Sequence, residues 1–491
     1  MKISQVFSNK QRVLFIIHDY YQESNHQLPL GPAYLAAVLE KEGAYVEAYC
    51  MDVFHYTNED LAKYLDQNHY DIIGVGFTAP RFRETILDLC KTISKHKEDA
   101  WLVLGGHGPS PIPEYVLRTT GANMVAIGES EDTIVELLKC KISNGELSSV
   151  KGIAYIEEDQ LRTTPPRKSI RNLDEIPFPL WKIFPMDEYI NSLSMFQQEK
   201  GDRTFVALTS RGCINRCNFC YRIEKGIRVR SVKNIIAEFK VLYERYGVNC
   251  FILQDELFLL TKRRMLDFED ELRKANLKIK YSCNARVDII DEEVVEILKR
   301  TGCKFLNFGF ESSDDKVLEL MNKNATAEQN LKALEAVKKI GGIGIGLNFL
   351  WNNLGDTEGS LWKNAKLIMK YNTYEQIRTI RPVTPFPGCP LYYKLIEMGK
   401  LKGPGDFFDK FRNSDLMFIN IMGISDKKAY KLLLEVNSEL IRSYYKNTTG
   451  DMTNVEKLIR QFRDLYTGKV AKFRGSKNFT RKGDGELNVP I

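Results

Sequence analysis

The sequence predicts an α/β chain: a doubly wound N-terminal domain, a partial (β/α)6 barrel, and a small helical C-terminal region. Three observations lead there. Short apolar runs alternate with helical periodicity from residue 12 to residue 140, a proline-rich stretch at 162–190 interrupts them, and six strand-helix alternations follow between 204 and 383. At 491 residues the chain exceeds what one hydrophobic core usually serves, so several domains are expected.

In the first domain (1–145), RVLFII (12–17), YVEAYCM (45–51), DIIGVGFT (71–78), WLVLGG (101–106) and MVAIG (124–128) read as strands. GPAYLAAVLEKEG (31–43), ETILDLCKTISKH, PEYVLRTTG and DTIVELLKC (132–140) read as helices. Such alternation implies a parallel sheet covered on both faces. Residues 146–195 read as an extended linker, because Pro165, Pro166, Pro177, Pro179 and Pro185 break any sustained period.

The barrel (196–395) has strand candidates TFVALTS (204–210), CFILQD (250–255), IKYSCNAR (279–286), FLNFGFE (305–311), IGIGLNFL (343–350) and IRTIRPV (377–383). Helices are expected at 231–246, 261–275, 291–301, 326–340 and 358–371. Such barrels place their chemistry at the C-terminal ends of the strands, and Tyr281, Asn284, Asn307, Asn348 and Arg381 are candidates for its lining. Residues 396–466 read as helical, with 427–447, which carries Tyr444 and Tyr445, and 452–466 the clearest cases. Residues 467–491 read as a basic, flexible tail.

Apolar and charged fractions of 43% and 27% are those of a globular protein. The first apolar run, Val13 to Ile17, ends at His18 and Asp19, and no later run approaches the ~18 residues of a spanning helix. A cytoplasmic protein with neither signal peptide nor membrane span is expected. The formal charge of +6 resides largely in the tail, where six Lys and Arg face Asp484 and Glu486, so no nucleic-acid partner is expected. Ten cysteines in such a chain are not a disulfide framework. Cys50, Cys90, Cys140, Cys250, Cys283, Cys303 and Cys389 are scattered and read as buried thiols.

The other three stand together in SRGCINRCNFC (210–220), as Cys213, Cys217 and Cys220, just after the first barrel strand. A structural zinc needs four ligands, which a distant Cys250 or Cys283 could complete. An iron-sulfur cube takes three thiolates and leaves one iron open to substrate.

The C-x-x-x-C-x-x-C spacing, with Phe219 before the last cysteine, resembles the radical S-adenosylmethionine (SAM) superfamily. That resemblance implies a 4Fe-4S cluster on Cys213, Cys217 and Cys220, with Phe219 beside SAM. QDELF (254–258) stands where the family binds the methionine amino group, which implicates Gln254, Asp255 and Glu256. Arg286, in YSCNARVD, is placed for the methionine carboxylate, and Glu311, in FGFESS (308–313), for the ribose. GLNFLWNNLGDTEGS (346–360) and TPFPGCPLY (384–392) resemble the segments that flank the adenine. Glu311 as a helix cap, and Asp255 and Glu256 as turn residues, are the structural alternatives.

The first domain has no GxGxxG loop, so a dinucleotide is not expected. Its segments 28–52, VGFT (75–78), LGGHGPS (104–110) and IGESEDT (127–133) resemble the Rossmann-like cobalamin-binding domain that precedes many radical SAM enzymes. The implied cobalamin contacts are Thr78, Gly105, Gly106, Gly128 and Glu129. The D-x-H-x-x-G cobalt-ligand motif is absent, and His18, His26 and His107 lie in other contexts. Gly76 replaces the family's usual small hydroxyl, and LGGHGPS its commoner LGGPH; His107 reads as a loop residue or a cobalt or substrate contact.

The resemblance thus implies a cobalamin-dependent radical SAM enzyme, a C-methyltransferase that cleaves SAM reductively to a 5'-deoxyadenosyl radical and methylates an unactivated carbon of a small-molecule or natural-product substrate. A flavodoxin- or ferredoxin-type reductant is the implied partner. Ring formation, oxidation or rearrangement without net methylation is the alternative enzyme reading. A corrinoid- or cluster-binding sensor is the non-catalytic one, and a vestigial first domain is also open. The residues single out no catalytic side chain.

Overall fold

The computed structural model describes residues 7, 10–19, 26–79, 82–223, 226–258, 261–374, 377–411, 417, 419–450, 452–453 and 455–466. The expected basic tail lies outside them. Seven strands form the first sheet: β1 (Arg12–Ile17), β2 (Tyr45–Cys50), β3 (Ile72–Gly76), β4 (Trp101–Gly105), β5 (Met124–Ala126), β6 (Ile153–Glu157) and β7 (Gln160–Thr163). Their order is β2-β1-β3-β4-β5-β6-β7, with β1 to β5 mutually parallel. Val13, Phe15 and Ile17 pack into one helical layer while Leu14 and Ile16 pack into the other, which is why the strand is apolar throughout. The strand order reverses direction between β1 and β3, and the crevice at such a point is where doubly wound domains bind ligands.

The segment read as an extended linker is a correction. It begins with the antiparallel pair β6 and β7, which extends the first sheet through a tight turn at Glu158 (φ 50°) and Asp159 (φ 60°). The prolines that suggested a linker come after this hairpin. Beyond them, the helix Met186–Ser192 is tied back to the first domain by Tyr189, whose hydroxyl donates to both carboxylate oxygens of Asp52 at 3.0 and 2.9 Å.

The second sheet is a parallel half-barrel in simple sequential order: β8 (Thr204–Ala207), then, after the antiparallel hairpin β9 (Ser210–Cys213) and β10 (Gly226–Val229), β11 (Cys250–Leu253), β12 (Lys280–Ala285), β13 (Cys303–Glu311), β14 (Gly344–Trp351) and β15 (Arg381–Pro382). Six strand-helix units match the expectation, but two ends differ. The first strand stops at Ala207, and its expected last residue, Ser210, starts the hairpin instead. The last strand keeps only two residues, Arg381 and Pro382, because the N–H and carbonyl of Ile380 just before it are taken by the Asn437 side chain. The connecting helices begin where short polar side chains cap them. Ser231 accepts from the Asn234 N–H, and capping boxes join Thr326 to Gln329 and Thr357 to Ser360.

The C-terminal helices divide between the two sheets. Helix Pro404–Lys410 packs on the first domain, with Phe408 4.6 Å from Phe82, centroid to centroid. Helix Asp426–Thr448 covers the barrel, and its buried Asn437 bonds both the N–H and the carbonyl of Ile380, at 2.8 and 2.9 Å. Among the described residues, no helix is long and apolar enough to cross a membrane.

Candidate functional site

The three cysteines occupy one loop leaving β9. All are free thiols: Cys213 is half-buried, Cys217 buried and Cys220 exposed at its surface. The loop is pinned from outside. Asn218 donates from its backbone to the Met321 carbonyl (2.8 Å) and from its side chain to the Leu320 carbonyl (2.9 Å), and Asn322 reaches back to the Arg216 carbonyl at 2.9 Å. Burial raises the Cys217 thiol above its ordinary pKa, with Glu311 and Cys213 adding to the rise and Lys323 opposing it. Bound iron overcomes such a rise by ligating thiolate directly.

The surroundings suit that charge. The Lys323 ammonium is kept protonated despite its burial by Glu311, Cys217 and Cys213, and Arg286 is close enough to Cys213 and Cys217 to feel both. Three loop thiols beside two cations offer the thiolate donors and the compensating charge that a 4Fe-4S cluster takes.

The barrel residues expected around SAM fall into two groups. Gln254, Glu256, Arg286 and Glu311 lie at the strand ends around the loop. Gln254 donates to Gln27 of the first domain at 2.8 Å. Burial holds the Glu256 carboxyl above its ordinary pKa, against the pull of Arg222. Arg286 spans Asn215 of the cluster loop (2.6 Å) and both oxygens of Asp288 (2.7 and 2.5 Å). Glu311 adopts a left-handed backbone (φ 62°) at a register shift between β13 and β14 and pairs with Lys323 at 3.0 Å. Such a conformation in a long-chain residue stores strain, and strain of this kind concentrates at functional positions. Gly309 makes room for it, since a Cβ there would stand 2.5 Å from Glu311 Oε1.

Asp255 and Phe219 turn elsewhere. Asp255 is fully buried and accepts from the Thr209 N–H (2.8 Å), the Thr209 hydroxyl (3.0 Å) and the Ser210 hydroxyl (2.7 Å), so it fixes the chain entering the cluster loop. Phe219, partly buried, packs against a core cluster that joins the first domain to residues between 383 and 419. Of the lining candidates, Tyr281 faces the helices rather than the lumen, buried with its hydroxyl on Thr301 at 2.8 Å.

A cavity of about 370 Å3 opens at the crevice of the first domain. Its wall includes Gly105, Gly106, His107, Gly128 and Glu129 on one side, and Arg211, Gly212, Gln254 and Glu256 of the barrel on the other. Gly106 holds φ +95°, and a Cβ there would lie 3.2 Å from the Phe77 carbonyl, so only glycine keeps this floor open. A flat, close-approach floor fits a bulky cofactor tail. Thr78 is exposed and does not line this cavity. His107 does, with its ring edge-on to Tyr221 at 6.2 Å, and burial lowers its pKa.

Glu129 does more than line the wall. It accepts from Arg211 Nη1 (3.0 Å), from Arg228 Nη1 and Nη2 (2.8 and 2.9 Å), and from the Ile170 N–H (2.9 Å), while Glu131 pairs with Arg211 at 2.6 Å. This network straps the β9–β10 hairpin, and with it the cluster loop, to the first domain. Sequence reading missed Arg211, Arg228 and Lys323. Their only signal was proximity to the cysteine triplet and to FGFESS, and their partners are 12 to 99 residues away.

Comparison with known proteins agrees with this geometry. The model of the radical SAM superfamily matches residues 208–368 and that of the B12 binding domain residues 25–138. An uncharacterized methyltransferase of Pyrococcus horikoshii is 30% identical over 372 residues, covering 74% of this chain and 77% of its own length. An anaerobic magnesium-protoporphyrin IX monomethyl ester cyclase of Rubrivivax gelatinosus is 27% identical over 78% of this chain and 70% of its own. The fold is shared with TsrM, a radical S-adenosylmethionine methyltransferase of Kitasatospora setae solved with cobalamin and a 4Fe-4S cluster (TM-score 0.69, 17% identity, 91% of this chain and 90% of that one). With a cluster loop, a glycine-floored crevice facing it and both family models in tandem, the chain belongs to the cobalamin-dependent radical SAM superfamily, with a 4Fe-4S cluster, SAM and cobalamin as its cofactors.

Proposed function

We propose that this protein methylates an unactivated carbon of a small-molecule or natural-product substrate. The observation that carries the reading is the shared cavity: the strand ends of the cobalamin-binding domain and the Gln254 and Glu256 strand end of the barrel form walls of one chamber. When bound, the cluster and SAM supply a hydrogen-abstracting radical and cobalamin supplies a methyl group. The chain's own part is orientation and exclusion of water. Leu30, Tyr34, Leu137 and Leu208 give the chamber apolar walls, and the Glu129 network holds the two halves in register. The similarity to the Pyrococcus methyltransferase supports the methyl-transfer outcome. The similarity to the cyclase over 78% of this chain favours a second reading, ring closure without net methylation.

Anaerobic reconstitution with iron, sulfide and cobalamin, followed by SAM bearing a deuterated methyl group and a flavodoxin- or ferredoxin-type reductant, separates these. A product heavier by one labelled methyl supports methylation. Formation of 5'-deoxyadenosine with an unmethylated product supports the cyclase-like reading, and failure to cleave SAM supports a sensor.

A further inference from the structure

A row of amides crosses the barrel lumen one rung below Arg286. Asn284 Nδ2 donates to the Asp255 carbonyl (2.7 Å), Asn307 Nδ2 to Asn284 Oδ1 (2.8 Å), and Asn348 Nδ2 to Asn307 Oδ1 (2.8 Å) and the Phe308 carbonyl (2.8 Å). Arg378 closes the row, its Nη1 donating to Asn348 Oδ1 at 3.1 Å. A guanidinium carries donors only, so Arg378 obliges Asn348 to present its oxygen, and that orientation passes from amide to amide toward Asp255.

The remaining edge of Arg378 is unfilled. Nε and Nη2 are buried without a hydrogen-bond partner among the described residues. No carboxylate among the described residues pairs with this side chain, and the charged neighbour it feels is another cation, Arg381. Burial, with Arg381 second, lowers its pKa to about 9, which leaves it charged at neutral pH. Its other neighbours are the Phe305 ring, 5.7 Å from Cζ, and Gly346, where a Cβ would stand 3.1 Å from Nη2. Arg378 as a whole is half-buried, but its Nε and Nη2 are enclosed, and enclosed cationic donors without a partner or counter-charge are costly in a resting protein. The unfilled pair, Nε–H and Nη2–H, is also the edge that a carboxylate or phosphate bridges with two parallel bonds.

Building on the proposed function, we infer that the substrate carries an oxyanion, a carboxylate or a phosphate, which Arg378 clamps through Nε and Nη2 on the lumen side of the asparagine row. The rest of the substrate then extends toward the strand ends and the cluster loop. Arg286, one rung higher and already engaged by Asp288 and Asn215, is left to the cofactor side.

The test needs no turnover, so it is independent of the methylation outcome. The melting temperature of the reconstituted protein is followed against sodium phosphate and sodium acetate at ionic strength matched with chloride. A saturable rise with one of these anions is expected for the wild type, and the anion that produces it names the class. Arg378→Gln is expected to weaken that response about tenfold or more, to melt no lower than wild type in chloride, and to bind SAM unchanged by equilibrium dialysis. No saturable rise in the wild type, an undiminished rise in the variant, or weakened SAM binding would overturn the inference; the last would assign the guanidinium to the carboxylate of SAM itself. Should Arg378→Gln fail to fold, Arg378→Lys decides, since it keeps the charge and loses the two-bond edge: a weakened anion response supports the clamp and an undiminished one overturns it. A product without the labelled methyl would remove the methylation reading and leave the anion response intact.

Discussion

Replacing Glu129 by Gln tests whether this residue serves the cofactor or the architecture. Its carboxylate is 9% exposed and faces Arg211 and Arg228, 16% and 15% exposed. Removing one partner of a buried ion pair costs about 3–5 kcal/mol, because the other charge is left uncompensated. Here the loss is smaller: Arg211 keeps Glu131 at 2.6 Å and Arg228 keeps the Ile170 carbonyl at 2.7 Å. A destabilisation of about 2–3 kcal/mol follows, which for a folding unit of this size lowers Tm by about 4–12 °C. Thermal unfolding of the anaerobic protein measures it. The Glu129→Gln/Arg228→Gln pair should be less destabilised than the sum of the two single variants by about 1–2 kcal/mol, since each removes the same contact. Burial would raise the Glu129 pKa, but Arg228, Arg211 and the Ile170 N–H together hold it below the ordinary value of 4.5. Its stabilisation is therefore complete above pH 4.5 and lost as pH falls through the lower folded value, and Glu129→Gln should lack this acid-side loss. A variant within about 0.5 kcal/mol of wild type that nonetheless releases cobalamin would refute the strap and make Glu129 a cofactor contact.

Replacing Cys213, Cys217 and Cys220 together by Ala should abolish the cluster absorbance and 5'-deoxyadenosine formation while far-ultraviolet circular dichroism stays unchanged. Gly106→Ala forces a side chain at φ +95° and should cost about 1–2 kcal/mol and lower cobalamin retention after desalting. Gly105→Ala, whose Cβ would meet nothing within 4 Å, is the matched control for strain. Burial raises the Asp52 carboxyl to about 7, against the hydrogen bond from Tyr189. Ionising it therefore costs the folded state stability as pH rises from the unfolded value of 3.8 through about 7, on the order of a few kcal/mol. Asp52→Asn keeps an acceptor for Tyr189, so its Tm should fall less than that of wild type between about pH 5 and pH 8.

How much of the site was legible depends on how local its causes are. Cys213, Cys217 and Cys220 are spaced by one loop, so their grouping showed in eight residues of sequence. Glu311 and Gly106 stand at strand ends whose glycine and apolar patterns are also local. The direction of the Asp255 side chain was not legible, because being the second residue of QDELF says nothing of which way it points; its burial under Thr209 and Ser210 is set by a segment 45 and 46 residues away. The linker misled because its prolines outweighed a short hairpin, and Tyr281 because odd and even positions of β12 exchange faces with a one-residue error in register.

What the sequence determined by itself was the order of the parts: parallel strands between helices, a thiol loop after the first barrel strand, and a glycine-rich crevice ahead of it. These follow from periodicity and spacing, both encoded within a few turns of chain. Only the tertiary structure decided which charges meet. Glu129 finds Arg211 and Arg228 across 82 and 99 residues, and Arg378 is left with two bare N–H groups at the end of an asparagine row drawn from three strands. Whether a buried charge is paired depends on burial and on partners remote in sequence, and only the folded chain supplies both.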